Sequence, residues 1–356
     1  MKESSQIDVA VLLIFFNRPE KFKEVFAQVQ KAKPSKLFLY QDGARHSGDI
    51  EGIEACRSIA SEIDWECEVH QLYQEKNYGC DPSEFIAQRW AFSFVDKCIV
   101  IEDDDVPSLA FFHFCKSMLD KYENDPRVWM IAGFNAEEKT EDISQDYFFT
   151  SVFSIWGWAS WRRVIDQWDE HYTFLDNKET LTLLTNLVKE RNVRNDFLPM
   201  CHRHKQTGKA HYETIFWASM LLNNGLAIMP TFNLVNNIGV TSDSTHFTGS
   251  TNTLPKGIRK MFTMQRFEPK SFDNPPQYII EHTAYKDRIY RMNAWNNPAI
   301  KVKYSLEELW LNLQRGNFSI IKNALSKRIK KWLKMDLSND TSGSRLKRKS
   351  AIIERE

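Results

Sequence analysis

Val9-Ala10-Val11-Leu12-Leu13-Ile14-Phe15-Phe16 runs without a polar residue into Asn17-Arg18-Pro19, after which Phe22, Val25, Phe26 and Val29 recur at helical spacing. An uninterrupted apolar run stopped by a polar, proline-bearing turn reads as a strand buried on both faces, followed by an amphipathic helix. The pattern repeats outward from there. Leu37 to Tyr40 is a second strand, closed by the turn Asp42-Gly43 and followed by a helix around Ile53 to Ile63. A third strand is read near Trp65 to Leu72, with a helix from Pro82 to Val95, and Cys98 to Ile101 is a fourth. Strands alternating with helices of this length need crossover connections, so the fold class is α/β: a doubly wound, mainly parallel sheet with helices on both faces. Val128 to Ala132 adds another strand. Ligands of such sheets lie beyond the carboxyl ends of the strands. Asn17-Arg18, Asp42 and Glu102 to Asp105 all fall at such ends.

Composition narrows the function classes. Lys plus Arg and Asp plus Glu both count 47 in 356 residues, a balance that argues neither for a nucleic-acid binder nor for an acidic, solvating protein. Aromatic residues make up 13%, with 11 Trp, which favours aromatic-walled clefts or interfaces. The six cysteines show no Cys-x-x-Cys pair and read as reduced, mostly buried thiols of a cytoplasmic protein. No apolar run approaches the roughly 20 residues of a membrane span. The chain changes character near residue 145, where a loop-rich segment with Ile155-Trp156-Gly157-Trp158-Ala159-Ser160-Trp161-Arg162-Arg163 begins. From Asn317 a basic amphipathic stretch follows, with Ile321, Leu325, Ile329, Trp332 and Leu333 on one face. Ten basic residues stand against two acidic ones between Lys322 and Lys349, the composition of a helix attracted to an anionic membrane surface. A solvated helix leading into a tail is the alternative.

The chemistry concentrates in Glu102-Asp103-Asp104-Asp105. Four consecutive carboxylates at a buried strand end repel one another unless a cation or hydrogen bonds compensate. Hard carboxylate oxygens select Mg2+ or Mn2+, ions that keep positions open for water and substrate phosphates. The alternative is a solvated acidic turn beside the helix that starts near Ser108.

Ile101-Glu102-Asp103-Asp104 followed by Phe111-Phe112 resembles the acidic motif and following helix of N-acetylglucosaminyltransferase I. The wider set, from Asn77-Tyr78-Gly79-Cys80 to the Trp-rich segment, is similar to GT-A glycosyltransferases of bacterial surface-polysaccharide loci, over roughly residues 8 to 250. The resemblance implies a GT-A fold and metal-dependent, inverting transfer of a sugar from a nucleotide-sugar donor to a glycan or lipid-linked glycan acceptor. It implies a nucleotide-sugar-binding half at 1–145, an acceptor and catalytic half at 146–255, a C-terminal extension at 256–316, and the basic helix and tail at 317–356, which would bring the enzyme to the cytoplasmic membrane face. By the same likeness Asp104 binds the metal, and Asn17, Arg18, Asp42, Asn77 and Asp103 contact the nucleotide-sugar. Trp156, Gly157, Trp158 and His246 line the sugar or acceptor, Arg162 and Arg163 support phosphate or acidic-sugar binding, and Glu213 is the general base. Physically, Arg pairs with phosphate oxygens and Asp accepts ribose or base donors. Each residue also has a plainer reading. Asn17 would cap a helix, Asp42-Gly43 would only turn, the tryptophans would fill a core, and Glu213 would sit on a helix dipole. A nucleotidyltransferase and a non-catalytic glycan-binding protein are the competing functions; the first lacks a Gly-rich, Lys-bearing loop after the first strand.

Overall fold

The computed structural model describes residues 6–239, 254–322 and 326. The chain divides into two compact units, Met1–Thr251 with Lys256–Ile300, and Asn252–Pro255 with Lys301–Glu356. His246 and most of the basic 317–356 segment lie outside the described residues.

The first unit opens with β1 (Ile7–Phe15), α1 (Pro19–Ala32), β2 (Pro34–Gln41), α2 (Ile50–Ala60), β3 (Glu68–Tyr73), α3 (Cys80–Phe94) and β4 (Lys97–Glu102). It continues through β5 (Asp105–Pro107), α4 (Leu109–Lys121), β6 (Val128–Ala132), β7 (Tyr147–Thr150), β8 (Trp158–Trp161) and α5 (Arg162–Ile165). Then come α6 (Lys178–Leu187), α7 (Arg191–Thr207), α8 (Tyr212–Leu222), β9 (Leu226–Pro230), β10 (Val235–Asn237), α9 (Lys256–Lys260) and α10 (Thr283–Met292). The last helix, α11 (Pro298–Gln314), belongs almost wholly to the second unit.

Eight strands form one mixed, mainly parallel sheet in the order β3-β2-β1-β4-β8-β6-β9-β7. The first four run parallel, as the alternation of strands and helices predicts. β1 is buried along nearly its whole length because it has β2 on one side and β4 on the other. The chain winds outward from β1 to β3 through α1 and α2, then returns through α3 to place β4 on the opposite side of β1. Right-handed crossovers therefore put α3 on the other face. Accordingly, α1 packs on α2 and α4, while α3 packs on α5 and α8. The gap between β1 and β4 is the topological switch point, where a crevice opens beyond the strand ends.

Two sequence readings are corrected here. The third strand starts at Glu68; Trp65 precedes it, fully buried, with its indole N–H donating to the Pro34 carbonyl at 2.8 Å. The Trp-rich segment, read as loop, contains β8, which inserts antiparallel between β4 and β6. Trp158-Ala159-Ser160-Trp161 is buried at every position because it lies inside the sheet. Its polarity pattern gave no alternation to find, since both faces are covered.

Candidate active site

β1 pairs Ile14 with Glu102, so the chain leaving β1 and the chain leaving β4 emerge side by side. That register brings Phe16-Asn17-Arg18 against the acidic turn. The Phe16 N–H donates to Asp103 Oδ2 at 3.2 Å, the Arg18 guanidinium grips both Asp103 oxygens, and its Nη1 donates to Asp104 Oδ2 at 2.8 Å. Asp103 and Asp105 are buried, and burial pushes both carboxyls above their usual range, with Arg18 opposing the rise at Asp103. The positive group that four consecutive carboxylates require is thus present on the chain itself.

The other side of the turn is held by a two-stranded ribbon of β5 and β10. Asn237, at its end, donates through Nδ2 to Asp104 Oδ1 at 3.1 Å and Asp105 Oδ1 at 3.0 Å. The Gly157 N–H donates to Asp105 Oδ2 at 2.9 Å. Gly157 has φ +64, and a Cβ there would lie 2.9 Å from Val235 Cγ2, so glycine is needed for the backbone to reach the carboxylate. The sequence resemblance implies a loop closing over the donor at Asn236-Asn237-Ile238-Gly239; in the structure Asn237 braces the acidic turn from the end of the ribbon.

Asp42 is far more than a turn residue. Its carboxylate accepts from the Gly43, Tyr78 and Gly79 N–H groups at 2.9–3.1 Å and from Asn77 Nδ2 at 2.8 Å. Asn77 also donates to the Gly43 carbonyl at 2.7 Å. Together they fasten the 77–79 loop to the end of β2. Gly79, at φ +86, turns the chain into α3. Asn17 does not cap α1; its amide donates to Asp49 at 2.7 Å. Asp49 was not singled out in the sequence. Its hydrogen bonds from the Arg45 guanidinium hold its carboxyl well below the usual range, and Arg45 in turn lies 5.0 Å from the Phe16 ring centroid.

These strand ends enclose a cavity of 440 Å³ whose walls include Asn17, Arg18, Asp42, Asn77, Glu102 and Asp103. Arg45, Tyr40 and Glu84 also reach it. Glu84 is buried on the first turns of α3; Cys80 Sγ donates to its Oε1 at 3.1 Å, while its Oε2 is buried without a hydrogen-bond partner. Burial raises its pKa well above the ordinary 4.5, and Glu213 adds to the rise. The stability that Glu84 gives is therefore complete below about pH 4.5 and is lost as pH climbs through its folded-state pKa. Glu84→Gln, neutral throughout, is expected to melt at a Tm that rises relative to the unsubstituted protein as pH climbs above about 4.5. A difference in Tm that stays flat across that range, followed by scanning fluorimetry, would contradict a protonated Glu84.

Glu213 stands in the first turn of α8, next to Tyr212, whose hydroxyl donates to Glu102 at 3.4 Å. It faces a second cavity, of 400 Å³, walled by Phe153, Trp156, Trp217, Tyr290 and Trp295. The Glu213 charge adds to the rise that burial causes at Glu84 and Glu102, both of which line the first cavity. Trp156 is in this second wall. Trp158, expected beside it, is instead fully buried against Phe216 and lines neither cavity. Arg162 donates to the Phe92 and Val95 carbonyls, and Arg163 to those of Tyr122, Glu123, Asp125 and Val128. Both arginines fasten the sheet to its helices and are spent there.

Among the described residues, no three His, Cys, Asp or Glu side chains converge as a metal cage. The donor set does fit a cation held by one or two carboxylates and completed by phosphate and water, the usual manner of Mg2+. The Arg18 guanidinium already stands as a cation on those oxygens of Asp103 and Asp104.

No family model matches the chain, and no curated protein matches it in sequence. In structure it is similar to an active-site mutant of LgtC, with 8% identity and a TM-score of 0.32 over 80% of this chain and 95% of that one. A likeness of that size carries no argument; the site stands on the geometry above.

Proposed function

We propose that the chain is a GT-A-type glycosyltransferase that binds a nucleotide-sugar donor at the switch-point cavity and a glycan acceptor in the aromatic cavity beside Glu213. The observation that carries the reading is convergence: Asn17, Arg18, Asp42, Asn77, Glu102 and Asp103, from sequence-remote strand ends and loops, wall one cavity. Arg18 supplies N–H donors for diphosphate oxygens, and the Asp42-Asn77 loop offers hydrogen bonds to the nucleoside. The wall is rich in carboxylates, which disfavours a bare diphosphate.

Asp104, with Asp103, would hold a divalent ion, whose chemistry would be to neutralise the charge that grows on the diphosphate as the sugar–phosphate bond breaks. Glu213 accepts the proton of the acceptor hydroxyl as its oxygen attacks the anomeric carbon, giving inversion. Trp156 presents a flat apolar wall to the acceptor ring, and the second cavity has no basic side chain among the residues lining it, which suits a neutral, hydroxylated ligand. The sequence resemblance extends this reading to bacterial surface polysaccharides as the acceptor class.

Calorimetric titration with a panel of nucleotide-sugars, with Mn2+ and then with chelator, tests it. One donor is expected to bind only with the metal, and Asp104→Ala to weaken that binding by roughly 100-fold, the scale on which metal sites fail when a supporting group is removed. Unchanged affinity in Asp104→Ala would remove the metal assignment, and binding by no nucleotide-sugar at all would remove the donor site.

A further inference from the structure

The inward stripe of α3 breaks its pattern where it begins. Ala87 and Ala91 suit a face packed on a sheet, but one turn earlier the same face carries Ser83 and Glu84, both buried. Beneath them, Ile14 is in register with Tyr40 on one side and Glu102 on the other. Residues in register on parallel strands share a face, and α3 packs over all three strands. A polar patch is thus enclosed between helix and sheet.

Three side-chain oxygens in it have no hydrogen-bond partner among the described residues: Tyr40 Oη, Ser83 Oγ and Glu84 Oε2. Their residues are 0%, 4% and 6% exposed, and all three line the switch-point cavity. Ser83 and Gln74 are near enough to bear on the Tyr40 hydroxyl, yet neither bonds it with ordinary geometry. Buried polar atoms without partners are costly and rare, so three on one wall point to a partner from outside the chain. Asp42 is not the reader of that partner. Its carboxylate has about four lone-pair positions, and the Gly43, Tyr78 and Gly79 N–H groups with the Asn77 amide occupy them.

The wall suits an uncharged partner. Burial pushes the Tyr40 hydroxyl up to about 12 and raises Glu84, so both keep their protons. Two hydroxyls and a carboxyl donate and accept without a cation, and Asp42 and Glu102 stand beside them, which disfavours phosphate. We propose that Tyr40, Ser83 and Glu84 form a specificity-determining subsite that reads a neutral, hydrogen-bonding part of the nucleotide-sugar. The proposal rests on the donor reading above and moves recognition from Asp42 to its neighbours. Both the nucleoside and the sugar ring carry such groups, and the test separates them.

The full chain is titrated by calorimetry, with Mn2+, against UDP-, GDP- and dTDP-hexoses, the free nucleoside diphosphates and inorganic pyrophosphate, and is melted without ligand. Tyr40→Phe and Ser83→Ala are each expected to weaken nucleotide-sugar binding roughly tenfold, because a site built to hydrogen-bond its ligand loses one bond. Their ligand-free Tm is expected to equal or exceed that of the parent, since each removes an atom with no partner in the free protein. Glu84→Gln, which keeps a donor and an acceptor in place, is expected to retain most of the affinity that Glu84→Ala loses. Pyrophosphate affinity is expected to stay unchanged. A loss shared by the free nucleoside diphosphate assigns the subsite to the nucleoside; a loss confined to the nucleotide-sugar assigns it to the sugar. Parental affinity in Tyr40→Phe, Ser83→Ala and Glu84→Ala would overturn the proposal, as would a lowered Tm in Tyr40→Phe or Ser83→Ala, or an equal loss for pyrophosphate. If the parent binds no nucleotide-sugar, the donor reading fails and the subsite falls with it; parental binding that the variants leave untouched removes the subsite alone.

Discussion

Arg18→Ala is expected to lower unfolding stability by roughly 3 kcal/mol and to abolish nucleotide-sugar binding, because it leaves buried carboxylates uncompensated. Arg18 is shared: its guanidinium grips Asp103 and donates to Asp104 at 2.8 Å, and those two side chains are 3% and 11% exposed. Removing one partner of a buried pair costs more than the pair contributes, since the remaining charge must be neutralised or hydrated. The arginine itself is about a quarter exposed, which keeps the expected cost at the low end of the range for buried pairs. Arg18→Lys is expected to restore only part of the loss, since an ammonium cannot span two carboxylates as a planar fork does. Urea denaturation at neutral pH checks this. A midpoint unchanged in Arg18→Ala would mean that the carboxylates are compensated by something other than this guanidinium.

Asp42→Ala is the second large effect, again roughly 3 kcal/mol, and it acts through the backbone. Three N–H groups and the Asn77 amide lose their acceptor at once. A buried donor left unpaired costs about 1–3 kcal/mol, but these groups are partly reached by water, so the costs do not simply add. The loop over 77–79 would come away from the end of β2, and the cavity would lose that wall. Asp42→Asn keeps one acceptor oxygen and is expected to fall in between. Hydrogen exchange gives the direct readout: the Tyr78 and Gly79 amides should exchange much faster in Asp42→Ala. If their protection survives, the loop is held by other contacts.

Much of this was legible in the sequence. Val9 to Phe16 and Cys98 to Ile101 announce buried parallel strands because such strands need apolar residues on both faces, and their polar ends mark where a ligand would lie. Pro19 and the spacing of Phe22, Val25, Phe26 and Val29 announce α1 for an equally local reason. What stayed hidden depends on non-local contact. Nothing in Trp158 to Trp161 distinguishes an inserted antiparallel strand from a buried loop. Asn237 and Gly157 acquire their roles only when β5 meets β10 and β8 reaches β4. The acidic run was read as requiring a positive group, which is sound electrostatics, yet its local cation is Arg18, 85 positions earlier than Asp103 in the chain.

The insertion of β8 also bears on how the protein can be taken apart. A boundary near residue 145 looks natural on composition, but residues 158–161 form the strand that joins β4 to β6. A fragment ending at 145 would lack β8 and β9, leaving one edge of β4 and both edges of β6 unpaired, each ready to recruit another chain. The half that carries the candidate donor site is therefore not expected to stand alone; β4 and β6 depend on strands at 158–161 and 226–230, from the other side of the divide.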